Sequence, residues 1–342
     1  MACIELEYPS WFQYILSTFA STAKEYRMKN RLVIVGVSLC LTLVPLALRA
    51  QSSTVFNFLR NDVSARAAGL AGSVISATDD PTLLFYNPAS LPTLTSPQGG
   101  IGYFKHVLDI NSGYVVYGQE FQNIGYFGAG IQYTNYGSFD QTDDLGNVEG
   151  TFSASDLSFN VGYGTAIDDN LYAGGALEFI TSSIAGYSSS GLAANVGVLY
   201  LIPENRIALG VSLRHAGAQL STYSGVRESL PADLTIGGSI IPRGLPLLLN
   251  VNFHKLNETV GAFIDRFRSF TVGGEFTLSK SFLLRVGFDN ARRKDLKTGT
   301  SSGLAGFSGG IGLLVSRYKI DYALSSLGGI GNLHRISVGT SF

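Results

Sequence analysis

Long and short gaps alternate between strand-like repeats along most of this 342-residue chain. From Gly99 to Phe342 about 14 segments alternate apolar with polar or small residues, each roughly 9–11 residues long, the length a tilted strand needs to cross a bilayer. Counted back from the C-terminus, a Gly-rich loop joins Leu324 to His334, and Ser316-Arg317 is a tight turn. A long Asp289–Ser301 loop and a tight Ser279-Lys280 turn come next, then a long Lys255–Ser269 loop and the short Pro242–Leu245 connection. A soluble sandwich has no reason to keep such parity over seven hairpins. An antiparallel outer-membrane barrel does, with short turns on its periplasmic rim and longer loops outside. The expected fold is all-β: a transmembrane antiparallel β-barrel of about 14 strands.

The first 50 residues read as something other than barrel. Met28-Lys29-Asn30-Arg31 is a positively charged start, Leu32–Leu48 is an apolar run, and Leu48-Arg49-Ala50 is a fair cleavage site. Residues 28–50 are therefore expected to be a signal peptide and 1–27 an upstream mis-start extension. The alternative is a genuine upstream segment with the apolar run retained as an anchor. Cys40 follows Leu39, which is too large for a lipoprotein box. Cleavage after Ala50 removes both cysteines, Cys3 and Cys40, and with them any disulfide. It leaves 19 basic against 22 acidic residues, so no basic footprint for nucleic acid. No later apolar run approaches a membrane helix, and open strand edges are not tolerated in lipid, so a spanning chain must close on itself.

Residues 51–98 lack sustained period-2 patterning. Ser64–Gly72 is small and Gly/Ala-rich, and Asp79-Asp80-Pro81 and Tyr86-Asn87-Pro88-Ala89-Ser90-Leu91 carry turn residues. This segment is expected to plug the lumen, with a periplasmic extension as the alternative; Arg66 is a candidate partner for Asp79 or Asp80. The barrel is assigned to 99–342. Leu157, Phe159, Val161 and Tyr163 face lipid on one strand, and Phe282, Leu284, Val286 and Phe288 on another. The opposite faces turn Glu178 and Arg285 into the lumen. The last strand presents Ile336, Val338, Thr340 and Phe342 on one face, the pattern of a barrel-assembly signal ending in Phe342.

Catalytic and metal motifs are weak. Gly306-Phe307-Ser308-Gly309-Gly310 matches G-x-S-x-G, but it begins a strand, whereas a nucleophile elbow needs a strand-to-helix turn. His106, His215, His254 and His334 have no metal-site spacing. Asp140, Asp143, Asp144 and Asn147 are not spaced as an EF-hand and read as a solvated acidic loop. No cofactor is expected, and the chain reads as a non-enzyme. Arg292, Arg293, Lys294 and Lys297 crowd an outer loop, where they are either lipopolysaccharide or acidic-partner contacts or a plain soluble loop.

Phe58-Leu59, Ser64-Ala65-Arg66-Ala67, Gly69, Gly72, Asp79-Asp80 and Tyr86–Leu91 together resemble the start of PorV/PorQ family proteins, barrels related to the long-chain fatty-acid (FadL-type) transporters. Tyr136-Gly137 with Gly146-Asn147, Gly303–Phe307 and Asn332–Ser337 extend the resemblance over the segment after residue 50. His254-Lys255-Leu256-Asn257-Glu258 departs from the PorQ branch, towards which length and the Gly146 loop otherwise lean. The resemblance implies a 14-stranded barrel with a plug formed by the segment holding Arg66, Asp79, Asp80, Asn87 and Pro88. It implies the outer membrane of a Bacteroidetes-like Gram-negative cell and a role in type IX secretion, docking secretion or surface-attachment proteins. Long loops on a rigid scaffold carry function, so loops 134–153, 215–231, 255–269 and 289–301 are the expected contact surface. Tyr136, Phe139, Tyr223 and Phe267 are its candidate aromatic anchors, with Arg292 and Arg293 beside them. The alternative reading is a FadL-like transporter of hydrophobic small molecules.

Overall fold

A computed structural model describes residues 54–258, 263–296 and 303–342. The readings of 1–27 and 28–50 lie outside the described residues. Fourteen antiparallel strands form one closed barrel in which each pairs with its sequence neighbours and the first with the last. They are β1 (Gln98–Lys105), β2 (Asn111–Phe121), β3 (Gly125–Thr142), β4 (Val148–Asp168), β5 (Leu171–Ile184), β6 (Tyr187–Ile202) and β7 (Ile207–Ser221). There follow β8 (Asp233–Ile240), β9 (Leu247–Phe253), β10 (Phe270–Ser279), β11 (Phe282–Asp289), β12 (Phe307–Val315), β13 (Tyr318–Ser326) and β14 (Asn332–Ser341). Closure runs from Gln98↔Ser341 to Lys105↔His334, which satisfies the backbone groups of both edges. Among the described residues two short α-helices, α1 (Ala65–Gly69) and α2 (Asn290–Asp295), lie outside the wall's strands.

The period-2 pattern resolves as expected. Phe159, Val161, Leu284 and Val286 are exposed on the outer face, while Ser158, Asn160, Glu178 and Arg285 are buried inside. The parity of connections also holds in its main lines. Residues 280–281 and 316–317 are two-residue turns, whereas 222–232, 254–269 and 290–306 separate strands on the opposite rim. The rim with the tight turns also carries Gln98 and Ser341, and is the periplasmic one in barrels of this type.

One expectation is corrected. Residues 134–153 are not a loop: β3 and β4 run on as a ribbon, Ser138↔Ser153 to Thr142↔Val148, closed by a turn at 143–147. The β2–β3 pairing stops at Asn111↔Asn135 and the β4–β5 pairing at Ala154↔Ile184, so this ribbon stands clear of its neighbours. Most of its residues are polar, which breaks the apolar alternation by which a membrane strand is recognised, yet ladder hydrogen bonds and the stacked Phe139–Phe152 pair, 5.3 Å between ring centroids, hold it extended. Asp143 closes the tip by accepting from the backbone N–H groups of Leu145 and Asn147 and from the Asn147 amide. Residues 215–221 likewise belong to β7.

Inside the wall, a belt of glycines makes room for residues 54–97. A side chain on Gly162 would run into Leu84, on Gly130 into Phe85, on Gly128 into Leu91, on Gly210 into the Ile75 carbonyl, and on Gly287 into the plug backbone at Leu70–Ala71. These positions need hydrogen in place of a methyl because plug and wall touch there at van der Waals distance.

Candidate functional site

The plug begins with a 3-10 turn, Asn57–Arg60, and reaches α1, whose cap Ser64 accepts from the Ala67 N–H. Alanines let this helix lie flat on the wall. Ala65 and Ala68 pack on Ala323 of β13, and the Ala65 N–H donates to Ser337 Oγ at 3.0 Å. Two more 3-10 turns follow, Pro81–Phe85 capped by Asp80 and Pro88–Thr93 capped by Asn87. Each has proline at its first position, where the missing N–H costs nothing.

On one side the plug is held by ions. Arg66 lies 3.2 Å from Asp80 of its own segment and 3.3 Å from Glu275 on β10. Glu275 also accepts from Arg285 Nε at 2.6 Å, and Arg285 Nη1 donates to Asp321 at 2.6 Å. Arg285 is wholly buried. Burial works against charge at Arg66, but Glu275 and Asp80 outweigh it and hold its pKa above the ordinary value. Burial raises the Asp80 pKa, and Lys319 with Arg66 more than reverses this, leaving it below 3.8. The question of which acid pairs with Arg66 is thus answered by geometry: Asp80. Asp79, at φ 53°, instead accepts from Gln98 Nε2 at 2.6 Å and from the Thr95 hydroxyl and N–H, fixing the passage from plug into β1. A periplasm-facing cavity of about 290 Å³ opens beside Arg66, Asp80, Lys319 and Asp321.

On the other side the contact is apolar. Leu83, Leu84, Phe85, Leu91 and Leu94 of the plug form one cluster with Phe104, Tyr114, Val116 and Ala176 of the wall. Asn87 ties the two halves together. It is fully buried, caps its turn at the Ala89 N–H, and donates to the carbonyls of Ile75 at 2.9 Å and Val198 on β6 at 3.3 Å. Pro88 follows it against Gly174. Sequence alternation turned Arg285 inward, where it is buried. Sequence reading missed Glu275 and Asp321, whose signal was a charge at an inward position of an otherwise apolar strand.

The candidate outer anchors are scattered. Tyr136 is in β3 and turns inward, donating to Asp156 at 2.6 Å. Tyr223 packs on the buried Phe56–Leu230 cluster. Phe139 is exposed on the ribbon, and Phe267 stands edge-on to Phe253 at 5.5 Å. Arg292 points inward at Asp62 (3.3 Å) and Asp289 (3.6 Å), whereas Arg293 lies over the Phe307 ring. Lys297 lies outside the described residues. Ser308, of the G-x-S-x-G match, is in β12 and donates to Ser325, with no strand-to-helix turn. Among the described residues no group of three metal-ligating side chains gathers. The Phe342 ring is outside the barrel, 6.1 Å from Tyr117, and its N–H donates to the Pro97 carbonyl.

A closed 14-strand barrel around an N-terminal plug is the fold of FadL-type outer-membrane barrels. The Ralstonia pickettii toluene transporter TbuX superposes with TM-score 0.58 at 14% identity, over 84% of this chain and 100% of that one. The CymD monoaromatic hydrocarbon channel gives 0.57 at 12% over 84% and 99%, and a Pseudomonas aeruginosa FadL homologue 0.51 at 12% over 82% and 98%. No family model and no curated protein matches the sequence.

Proposed function

We propose that this protein passes small hydrophobic compounds across the outer membrane along the apolar seam between its plug and strands β1–β5. The observation that carries the reading is the asymmetry of the plug's seat. Charged groups clamp one flank to β10, β11 and β13, while the other flank meets the wall largely through apolar side chains and glycine, a surface an apolar solute can share. The likeness in fold, over 84% of this chain, to a toluene transporter and a monoaromatic hydrocarbon channel supports it. A paired Leu91→Cys and Gly128→Cys variant bridges plug to wall on the apolar flank. Uptake of a monoaromatic hydrocarbon by cells carrying it is expected to fall under oxidising conditions and return with reductant. Equal uptake in both states would remove the seam as the path.

A second reading, docking of type IX secretion or surface-attachment proteins at the outer rim, is favoured by a different observation. Outer connections expose apolar tips at Leu108 (83%), Leu145 (88%), Val226 and Leu304. Purification of the tagged barrel in mild detergent separates the two. Co-purifying surface proteins support docking; apolar small molecules alone support passage.

A further inference from the structure

Along the arc of wall from β9 to β12, the last outward-facing residue of each strand at the outer rim is a phenylalanine: Phe253, Phe270, Phe288 and Phe307. Their strand neighbours Asn252, Thr271, Asp289 and Ser308 are buried in the lumen, so alternation sets the four rings on the lipid side. The rings form a continuous row, with centroids 6.5 Å apart from Phe253 to Phe270, 6.3 Å from Phe270 to Phe288 and 5.0 Å from Phe288 to Phe307. Phe267, from the connection before β10, extends the row at Phe253. In an outer-membrane barrel such rings mark the level at which acyl chains give way to headgroups.

Cations sit directly on this row. α2 divides its basic residues: Arg292 turns inward to Asp62 and Asp289, whereas Arg293 lies with its guanidinium 5.9 Å from the centroid of the Phe307 ring. Gly306, at φ 84°, lets α2 rest this low, since a side chain there would run into the Asp289 carbonyl and Arg293. The Asn290 amide donates to the Arg268 carbonyl at 2.7 Å, which brings the exposed Arg268 alongside α2. Residues 263–268 and 290–296 together hold five basic residues against two acidic ones. Arg293 and the exposed Lys294 have no carboxylate within 4.0 Å among the described residues, and neither 259–262 nor 297–302 contains an acid. Unmatched cations at the edge of a lipid-facing apolar surface suit an anion that carries its own apolar body. From this arrangement we infer that the arc is a binding site for lipopolysaccharide of the outer leaflet. A phosphate of its lipid portion accepts from Arg293 and Lys294, and its acyl chains lie on the phenylalanines and on Val251, Val272 and Val286 below them. Arg268 is held only by the exposed Asp265 pair at 2.9 Å, which costs little to open towards a second phosphate. An acidic protein would meet the cations but gain nothing from rings that face lipid, and a free phosphate would leave the row uncovered.

The site is independent of what crosses the barrel. The test is equilibrium binding of radiolabelled bis-phosphorylated lipid A to the intact barrel, immobilised by a tag in mild detergent. Unlabelled lipid A, lipid A stripped of both phosphates, phosphatidylglycerol and inorganic phosphate serve as competitors. Only the phosphorylated lipid A is expected to compete fully. Replacing Arg293→Gln and Lys294→Gln together is expected to weaken binding about tenfold. Phe307→Leu, which keeps the wall apolar but removes the ring beneath Arg293, is expected to weaken it about threefold. Lys280→Gln, in a tight turn on the opposite rim, should leave it unchanged. Heat-modifiable migration checks that each variant is folded, and either outer-rim variant suffices if the other is not. Competition by stripped lipid A, phosphatidylglycerol or inorganic phosphate as strong as by lipid A itself would overturn the assignment, as would binding unchanged in the folded outer-rim variants.

Discussion

Glu275 is a carboxylate set between two buried guanidinium groups, one on the plug and one on the wall. Removing one partner of such a network leaves charge stranded in a medium that solvates it poorly. Glu275→Gln is therefore expected to cost about 3–5 kcal/mol, read as an earlier heat-modification midpoint, with Arg66 and Arg285 repelling each other. Arg66→Ala removes the plug's ion pair with Glu275 on the wall, along with its internal pair to Asp80, and should raise conductance in planar bilayers; an unchanged trace would contradict the latch. The sequence made part of this legible. Alternation alone turned Arg285 and Glu178 inward, because a charge on the lipid face is not tolerated. It did not disclose that Arg66 meets Glu275, since those residues lie 209 positions apart and their meeting depends on the plug's route across the lumen. Arg292 shows the same limit. Its basic neighbours suggested an outward patch, but α2 turns its side chain back onto Asp62.

Plug and ribbon are the two elements the wall does not itself require. The plug's latch is an electrostatic device with a definite pH window. Asp80 has a folded pKa below 3.8, so its ion pair contributes fully at neutral pH, above the unfolded value. That contribution is lost as pH falls below 3.8 towards the depressed folded value. Proteolytic access to the plug from the periplasmic side should accordingly rise on strong acidification, and Asp80→Asn should show the elevated access already at neutral pH. Apart from one bond, from the Ala185 N–H to the Ser153 carbonyl at 3.2 Å, the backbone of the ribbon from Ser138 to Ser153 pairs with itself. Replacing it by a two-residue turn should leave heat-modifiability unchanged, while surface proteins captured through it would be lost. Its strands escaped sequence reading because lipid imposes the period-2 code and water does not. Above the bilayer, any residue that tolerates extended backbone can continue a ladder.

At the scale of the molecule, the fold was the most legible feature. Bilayer thickness fixes strand length, and the forced difference between rims fixes gap parity, so both survive in a sequence that no family model matches. What passes through or docks on the barrel was not legible, because fold is shared across functions and the seat of the plug is built from register. Phe342 belongs to this scale. Its ring lies against Tyr117 and Gly99 at the lipid-facing seam, so deleting it should leave the folded barrel's stability nearly intact in detergent while lowering the amount delivered to the outer membrane, measured by fractionation.

The glycine belt has a consequence for history as well as shape. Plug backbone and wall backbone approach so closely at Gly210, Gly287 and Gly174 that a closed cylinder has no clearance for threading residues 54–97 afterwards. The plug is also the segment that leads directly into β1, one lip of the final seam with β14. The order of events is thereby constrained: the strands must curl around a plug already seated, and the zipping of β1 to β14 comes last, as a lid sealed over its contents.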